Sequence, residues 1–413
     1  MNFIGRRSDI KKYIKVIELF VVLVVLPTLF LWALACRFVR KKFDIGIGPE
    51  PMINNKAHSQ ALRLKGYTAE TFVIGATHIT TNFDYSASQA VFGRYAGRYP
   101  RLEMLFCTIH LTFRALLKYR CVYQYFHGGA LGILGGNLKS EIIKNAEPLI
   151  LKMCNMRSVI MPYGSDVHLM SRCSNLTLKN ARSVNNRNHR RIEEIITGQI
   201  ARWSKSADHI IGGCDWVDYI PGWDSLMLSH FAIDTDLWKA AKVRLNKKNR
   251  PIRILHAPNH RSLKGTEYIE KAVEELKIRG VNIELIILEK VGNDRVREVM
   301  ESVDIVVDQL LIGWYAMFAL EGMSMGKPVI CYIRPDLYQF YKRTIIKEAD
   351  FPIVQSTAET FKDVLQKLVE DKEKIFKLGL ASREYVVKFH SLDRVGDHFD
   401  EINKRLGIEP CHG

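Results

Sequence analysis

Hydrophobic and polar positions follow two rhythms along this chain. Residues 16–36 form an apolar run whose only charge is Glu18. As a helix it would be roughly 31 Å long at about 1.5 Å per residue, close to the hydrocarbon thickness of a bilayer. From residue 44 the pattern changes to short apolar runs separated by helix-length segments, which predicts α/β units with parallel sheets. In the first half, 71–75, 122–126, 158–161 and 209–212 read as buried strands, each leading into a glycine-bearing loop. In the second half, 252–257 reads as a strand. A helix follows from about Gly265, with Ile269, Ala272, Val273 and Leu276 on one face and a stop at Gly280. Strands at 281–288, 305–308 and 329–333 come next, with a helix over 315–325 ended by Gly326 and Pro328. This repeated βα order predicts a Rossmann-like half. The polar, basic stretch 242–250 separates the halves. The expected organisation is a membrane element at 1–43, an N-terminal Rossmann-like domain at 44–241, a C-terminal Rossmann-like domain at 242–390, and a terminal helix and tail at 391–413. No short-period repeat is visible, which excludes a solenoid.

Composition narrows this picture. With 413 residues, 47% apolar and 25% charged, the chain is too long for one ordinary core and too apolar for wholesale disorder. Its eight cysteines contain no C-x-x-C pair, which excludes a zinc ribbon or redox dithiol. The net charge of +16 is uneven: residues 1–42 hold nine Lys/Arg against Asp9 and Glu18. The +9 that remains is too dilute for a nucleic-acid binder. Basic residues flank the apolar run on both sides, and three readings compete for it. A cleavable signal could end at Ala33-Leu34-Ala35, but the run is long and Arg37 to Lys42 would hinder export. A single span is the default reading. A hairpin kinked at Pro27 would keep both basic flanks on one side.

The chemistry-bearing stretch begins at Ile252, ILHAPNHRSLKGTEYIEKAVEEL. A strand ends, a short loop offers Arg261 and Lys264, and a helix begins, so two cations sit beside helix N–H groups where an anion is favoured. One phosphate oxygen about 4 Å from one cation is worth about 4 kcal/mol at an effective dielectric near 20. The alternative is a solvated turn. About fifty residues on, Glu321 lies mid-helix among Ala319, Leu320, Gly322 and Met323, a costly place for a carboxylate without partners. A pair of ribose hydroxyls would satisfy it, as would a basic side chain. Gly313 either lets backbone approach a ligand or is a turn glycine.

These two segments together resemble the nucleotide-sugar half of glycosyltransferases with the two-Rossmann-domain (GT-B) fold, particularly the retaining family 4 type. The resemblance implies that Arg261 and Lys264 of HRSLKG grip a donor diphosphate and that Glu321 of ALEGMSMGKPV binds the ribose. The family's first Glu, eight positions earlier, is Gly313 here, leaving Gly313, Trp314 and Tyr315 to meet the transferred sugar by backbone and ring contacts. In the first half, VYQYFHGG resembles the strand that ends at a reaction-centre His, here His127. MPYGSDVHL resembles the acceptor-side loop, here Gly164, Ser165 and Asp166, and SHFAIDTDLW resembles the interdomain segment. The resemblance covers about residues 70–390. His78 is a further acceptor-side candidate beside a plain loop reading.

Other motifs carry less. Asp234-Thr235-Asp236 is a D-x-D, but a loop role is expected because a hard cation needs more oxygen ligands. His256 and His260 are separated by Pro258, which prevents the helix that would aim both at zinc. Neither a metal nor a cofactor is expected. Asn175-Leu176-Thr177 is a glycosylation sequon only in a lumenal protein. The cations between Lys179 and Lys205 would face either lipid headgroups or solvent. The implied activity is transfer of a sugar from a nucleotide-diphosphate donor to a lipid-linked or glycan acceptor, at a membrane and on its cytoplasmic face. The alternatives are a nucleotide-sugar epimerase of the same fold and a non-catalytic membrane-bound scaffold.

Overall fold

The computed structural model describes residues 14–75, 82–185, 188–239, 250–347 and 351–410. Twelve strands form two sheets. The first holds β1 (Phe43–Ile47), β2 (Ala69–Val73), β3 (Tyr85–Ser86), β4 (Tyr119–Tyr125), β5 (Arg157–Met161), β6 (His209–Gly212) and β7 (Ser225–Leu226). The second holds β8 (Ile252–His256), β9 (Ile283–Ile287), β10 (Ile305–Val307), β11 (Val329–Cys331) and β12 (Val354–Gln355). The orders are β3-β2-β1-β4-β5-β6-β7 and β12-β11-β10-β8-β9, with every pairing parallel. Parallel strands buried on both faces account for the near-continuous apolar runs of the sequence.

An inner strand of the first sheet, β1, is absent from the sequence reading. Asp44 and Gly46 interrupt its apolar pattern, and both interruptions are structural. Asp44 is buried and accepts from the Thr68 N–H at 3.0 Å and the Thr68 hydroxyl at 2.8 Å. A Cβ on residue 46 would lie 2.5 Å from the Tyr119 ring, so only glycine lets that ring cross the strand.

Alternate residues of the strands feed two layers. Ile45, Tyr123, Val159 and Ile211 join one core with Leu62, and Val122, Ile160 and Ile210 join the other with Leu111 and Ile150. Val395, Phe399 and Ile402 of the terminal helix Leu392–Arg405 belong to the first of these cores. Phe399 meets the His58 and Tyr123 rings edge-on, each at 5.2 Å, and the Tyr123 hydroxyl donates to Asn403 Oδ1 at 3.0 Å. The end of the chain thus returns to the N-terminal domain instead of standing as a separate tail.

The apolar N-terminal run is one helix, Ile14–Cys36, long and apolar enough to cross a membrane. It does not reverse at Pro27. A π-turn over Val21–Val25 lies just before the proline and accommodates its missing N–H, so the helix continues. One face is buried against the first domain: Val21, Val25, Leu29, Ala33 and Cys36 pack there, and Trp32 donates to Phe113 O at 3.1 Å.

The two domains share a core. The Tyr341 hydroxyl donates to Cys214 O at 2.7 Å, and Arg334 forms an ion pair with Asp218. Asn175 Nδ2 donates to Leu311 O at 2.8 Å and Ile312 O at 2.9 Å, so the sequon asparagine is buried at the domain junction with its amide engaged.

Candidate functional site

In open parallel sheets, ligands bind beyond the carboxyl ends of the strands, where the strand order reverses direction. In the second sheet that point lies between β8 and β10, since β9 pairs on the outer side of β8 and β11 on the outer side of β10. In the first it lies between β1 and β4. Both crevices carry chemistry.

The loop after β8 supplies Arg261 and Lys264, and the loop after β10 supplies Asp308 to Trp314. His256, at the end of β8, ties the crevice together: Nδ1 meets Val307 O and Nε2 meets the Thr266 hydroxyl, both at 2.8 Å. Burial holds its pKa down at about 4, so the ring is neutral near pH 7 and, with both nitrogens engaged, serves as a strut. Lys264 Nζ donates to Asp308 Oδ1 at 3.0 Å and Gln309 Oε1 at 2.6 Å. The other Asp308 oxygen accepts from Ala316 N at 2.8 Å, fixing the start of the helix Met317–Ser324. Glu321 lies on that helix, buried, with one hydrogen bond from Asn293 Nδ2 at 2.8 Å. Burial lifts its pKa to about 8, and the nearby Asp308 charge adds to the shift. Its neighbourhood is a cleft of ≈ 370 Å³ between the domains, lined by Asn54, Gln60, Trp238, Asn293, Met317 and Glu321 among others.

Lys264 and Glu321 are therefore linked through Asp308, which pairs with the lysine and adds its charge to the buried glutamate; Glu321 lines the cleft, and Lys264 is not among its lining residues. Arg261 leans the other way: its guanidinium pairs with Glu270 at 2.6 Å and Glu289 at 3.1 Å, half-exposed on the β9 side. A diphosphate would have to displace those carboxylates. Both cations keep company with anions, as expected of charges awaiting a charged ligand or settled in ion pairs.

At the first switch point, His127 follows β4. Its Nδ1 meets Glu50 Oε1 at 3.1 Å and the Tyr163 hydroxyl at 2.9 Å. Burial opposes its charge, yet Glu50 and Asp166 outweigh that and its pKa is raised. Glu50 stands in Gly48-Pro49-Glu50-Pro51 after β1, with a cis bond at Gly48–Pro49. The glycines after His127 look like a phosphate cradle, but the chain fills it. Glu147 takes the N–H groups of Gly129 (2.9 Å), Leu131 (3.2 Å) and Gly132 (3.1 Å) at the start of the helix Ala130–Leu138. Burial raises its pKa to about 7 despite those bonds.

Comparisons with solved structures bear on what this frame is. The chain superposes on sucrose-phosphate synthase from Thermosynechococcus elongatus with a TM-score of 0.56 at 13% identity, covering 89% of this chain and 99% of that one. For HepE from Anabaena in complex with UDP the TM-score is 0.53 at 10% identity, covering 89% and 100%. For the catalytic domain of starch synthase IV from Arabidopsis thaliana, bound to ADP and acarbose, it is 0.51 at 10%, covering 89% and 99%. The fold is GT-B. No protein-family model and no curated protein matches the sequence, so the likeness rests on structure.

Within this GT-B frame several expected contacts are corrected. Trp314 and Tyr315 are core residues: Trp314 packs on Tyr341 at 4.6 Å, and the Tyr315 hydroxyl meets His390 Nε2 at 2.9 Å. Their rings are not free to touch a sugar. Gly313 has φ 100°, and a Cβ there would lie 2.8 Å from the Arg334 side chain, so the glycine serves its turn and the close passage of Arg334. Asp166 is fully buried, accepting from Tyr163 N and Gly164 N at 2.9 Å and Phe126 N at 3.1 Å. It clamps the loops after β4 and β5 together and supports His127, leaving Ser165 as the exposed member of its trio. His78 lies outside the described residues. Asp234 Oδ1 closes a turn by accepting from Asp236 N and Leu237 N, each at 3.0 Å. In the basic stretch, Arg182 is turned inward to His168 and Arg202 is paired with Glu141 at 2.7 Å, so neither faces a membrane.

Glu50, Asn293 and Asp308 were missed. Asp308 had a readable signal, an acid directly after the apolar run IVV. Glu50 needed β1 to be recognised first.

Proposed function

We propose that this protein transfers a sugar from a nucleotide-diphosphate donor to a lipid-linked or glycan acceptor, with retention, at the cytoplasmic face of a membrane. The observation that supports the reading is the link from Lys264 through Asp308 to Glu321 at the carboxyl ends of β8 and β10, with Glu321 lining the cleft opposite the helix Asn54–Leu64 of the other domain. The donor would lie with its ribose hydroxyls on Glu321 and its diphosphate on Lys264, joined by Arg261 once freed from Glu270 and Glu289. HepE and starch synthase IV, which share the fold, were solved with UDP and ADP respectively. That supports a nucleotide-dependent reading here and leaves the base open.

In this mechanism Lys264 neutralises charge that develops on the leaving phosphate, an interaction stronger in the transition state than in the ground state. Retention follows if that phosphate itself assists the acceptor hydroxyl, which requires no protein nucleophile. His127, held by Glu50 and Tyr163, orients an acceptor or donor hydroxyl across the cleft. The test is to incubate the full chain with UDP-, GDP- and ADP-sugars, with and without polyprenyl-phosphate-linked acceptors. Acceptor-dependent release of the nucleoside diphosphate supports transfer. Epimerised donor without acceptor would replace it with the epimerase reading, and binding without turnover would leave a scaffold.

A further inference from the structure

Past Lys15 and Glu18 the helix Ile14–Cys36 is apolar on all sides, but its two faces meet different surroundings. One stripe is buried on the first domain. The other, Val16, Leu19, Leu23, Leu31 and Leu34, recurs at helical spacing and is exposed, Leu23 to 63%. Beyond the helix, Phe38 is 87% exposed. A free-standing span would leave the domain, whereas this helix runs along it, Trp32 against Phe113 and, just past its end, Lys41 donating to Leu116 O.

The neighbouring helix Pro100–Lys118 extends the same surface. Leu102, Phe106, Ile109 and Phe113 form one stripe by their i, i+4, i+7, i+11 spacing; its Phe113 end touches Trp32, and Leu102 and Phe106 are exposed. Exposed contiguous apolar surface of this kind marks an interaction site.

Cations bound it at both ends. Before Leu102, Arg94 and Arg98 stack on the exposed rings of Tyr95 and Tyr99, at 5.0 and 5.8 Å, the amphipathic pairing favoured at headgroup depth. After Cys36, a cleft of ≈ 380 Å³ is lined by Arg37, Arg40, Lys41, Arg120 and Arg157, with no carboxylate side chain among its lining residues. Arg120 and Arg157 have their own acidic partners, Asp44 and Asp208, so Arg37, Arg40 and Lys41 supply the excess, with Lys41 turned to the carbonyls of Cys36 and Leu116. This cleft lies at the amino ends of β4 and β5, opposite the catalytic edge.

We propose that the exposed stripe of Ile14–Cys36, with Leu102, Phe106 and Phe38, is a monotopic docking surface that lies flat in one leaflet, with lipid phosphates of an anionic bilayer seated at its cationic ends. The helix Pro100–Lys118 starts near the carboxyl edge of the first sheet, because Glu103 in its first turn accepts from the hydroxyl of Ser88, two residues past β3, and its far end leads into the start of β4. The surface therefore reaches the edge of the sheet where His127 stands, and a membrane-held acceptor would not have to leave the leaflet to reach it. The docking argument does not depend on sugar transfer, and its test does not read activity.

The test is cysteine accessibility in inverted and right-side-out vesicles from cells expressing the full chain with Cys411→Ser, the seven described cysteines being buried. Ser8→Cys precedes the helix and Glu373→Cys marks the domain body. A flat helix predicts that both react with an impermeant maleimide in the same vesicle orientation. Reaction in opposite orientations would mean that the helix crosses, and would overturn the proposal. Recovery of the chain as a soluble dimer that hides the stripe would overturn it too. For the anionic component, Arg37→Glu/Arg40→Glu is expected to lower retention on phosphatidylcholine/phosphatidylglycerol vesicles at least tenfold and leave retention on phosphatidylcholine unchanged. Equal retention of variant and parent on both would contradict a headgroup role.

Discussion

At the scale of single residues, Glu321 carries the sharpest expectation. Its folded pKa of about 8 lies above the ordinary 4.5, so folding favours its protonated form. That contribution to stability is complete below about pH 4.5 and is lost as pH rises through 8. Hydroxyl donors favour the carboxylate, so donor affinity should rise from pH 6 to pH 8, with proton release on binding near neutrality. Calorimetry in buffers of different ionisation enthalpy measures that release. Glu321→Gln should lose donor affinity while melting with a flatter pH dependence than the parent. A loss of both affinity and fold would instead make Glu321 a structural residue. Lys264→Gln keeps a donor for Asp308 and removes the charge; turnover should fall by about 10²-fold or more with the circular dichroism unchanged, the scale of a lost electrostatic contact to a transition state.

At the scale of elements, the terminal helix and the turn at Gly313 are open to test. Phe399→Ala removes a fully buried ring shared by the terminal helix, β4 and the helix Asn54–Leu64, and should cost about 3–5 kcal/mol in denaturant unfolding. Gly313→Ala places a Cβ 2.8 Å from Arg334 at φ 100°, and should destabilise by about 1–3 kcal/mol. These elements also measure what the sequence made legible. Four strands of the second sheet, β8 to β11, could be read because their βα units keep apolar runs and glycine stops in register with the fold; the two-residue edge strand β12 could not. The placement of Lys264 just after β8 and of Glu321 on the helix after β10 could be read from the same pattern. β1 could not be read, since a buried Asp and a Gly under a Tyr ring both look like loop in one dimension. Trp314 and Tyr315 were misplaced for a related reason: an aromatic pair beside a loop glycine reads as ligand contact, and only the packing of Tyr341, Tyr385 and His390 around them reveals core.

At the scale of the whole molecule, the N-terminal helix is part of the first domain's packing, which changes how the protein can be handled. Removing residues 1–43 would strip Val21, Leu29 and Ala33 from the apolar faces of Leu111, Leu116 and Ile150. The truncated chain should aggregate or bind a hydrophobic dye, whereas a detachable anchor would leave a soluble domain. The domain junction is equally tight where Arg334 meets Asp218 and Asn175 holds the loop after β10. Asn175 is therefore expected to remain unmodified even where the sequon is exposed to glycosylation machinery. Closure around a donor would act on the remaining gap, the cleft between Asn54 and Glu321.

The account stands on the crevice between β8 and β10. Its most direct test is titration of the full-length, detergent-solubilised chain with UDP-, GDP- and ADP-sugars, beside Lys264→Gln and Glu321→Gln. Saturable binding of one nucleotide class, weakened at least tenfold in both variants, is the predicted result. Binding of that class unchanged in both variants, or no binding of any of the three, would contradict the account.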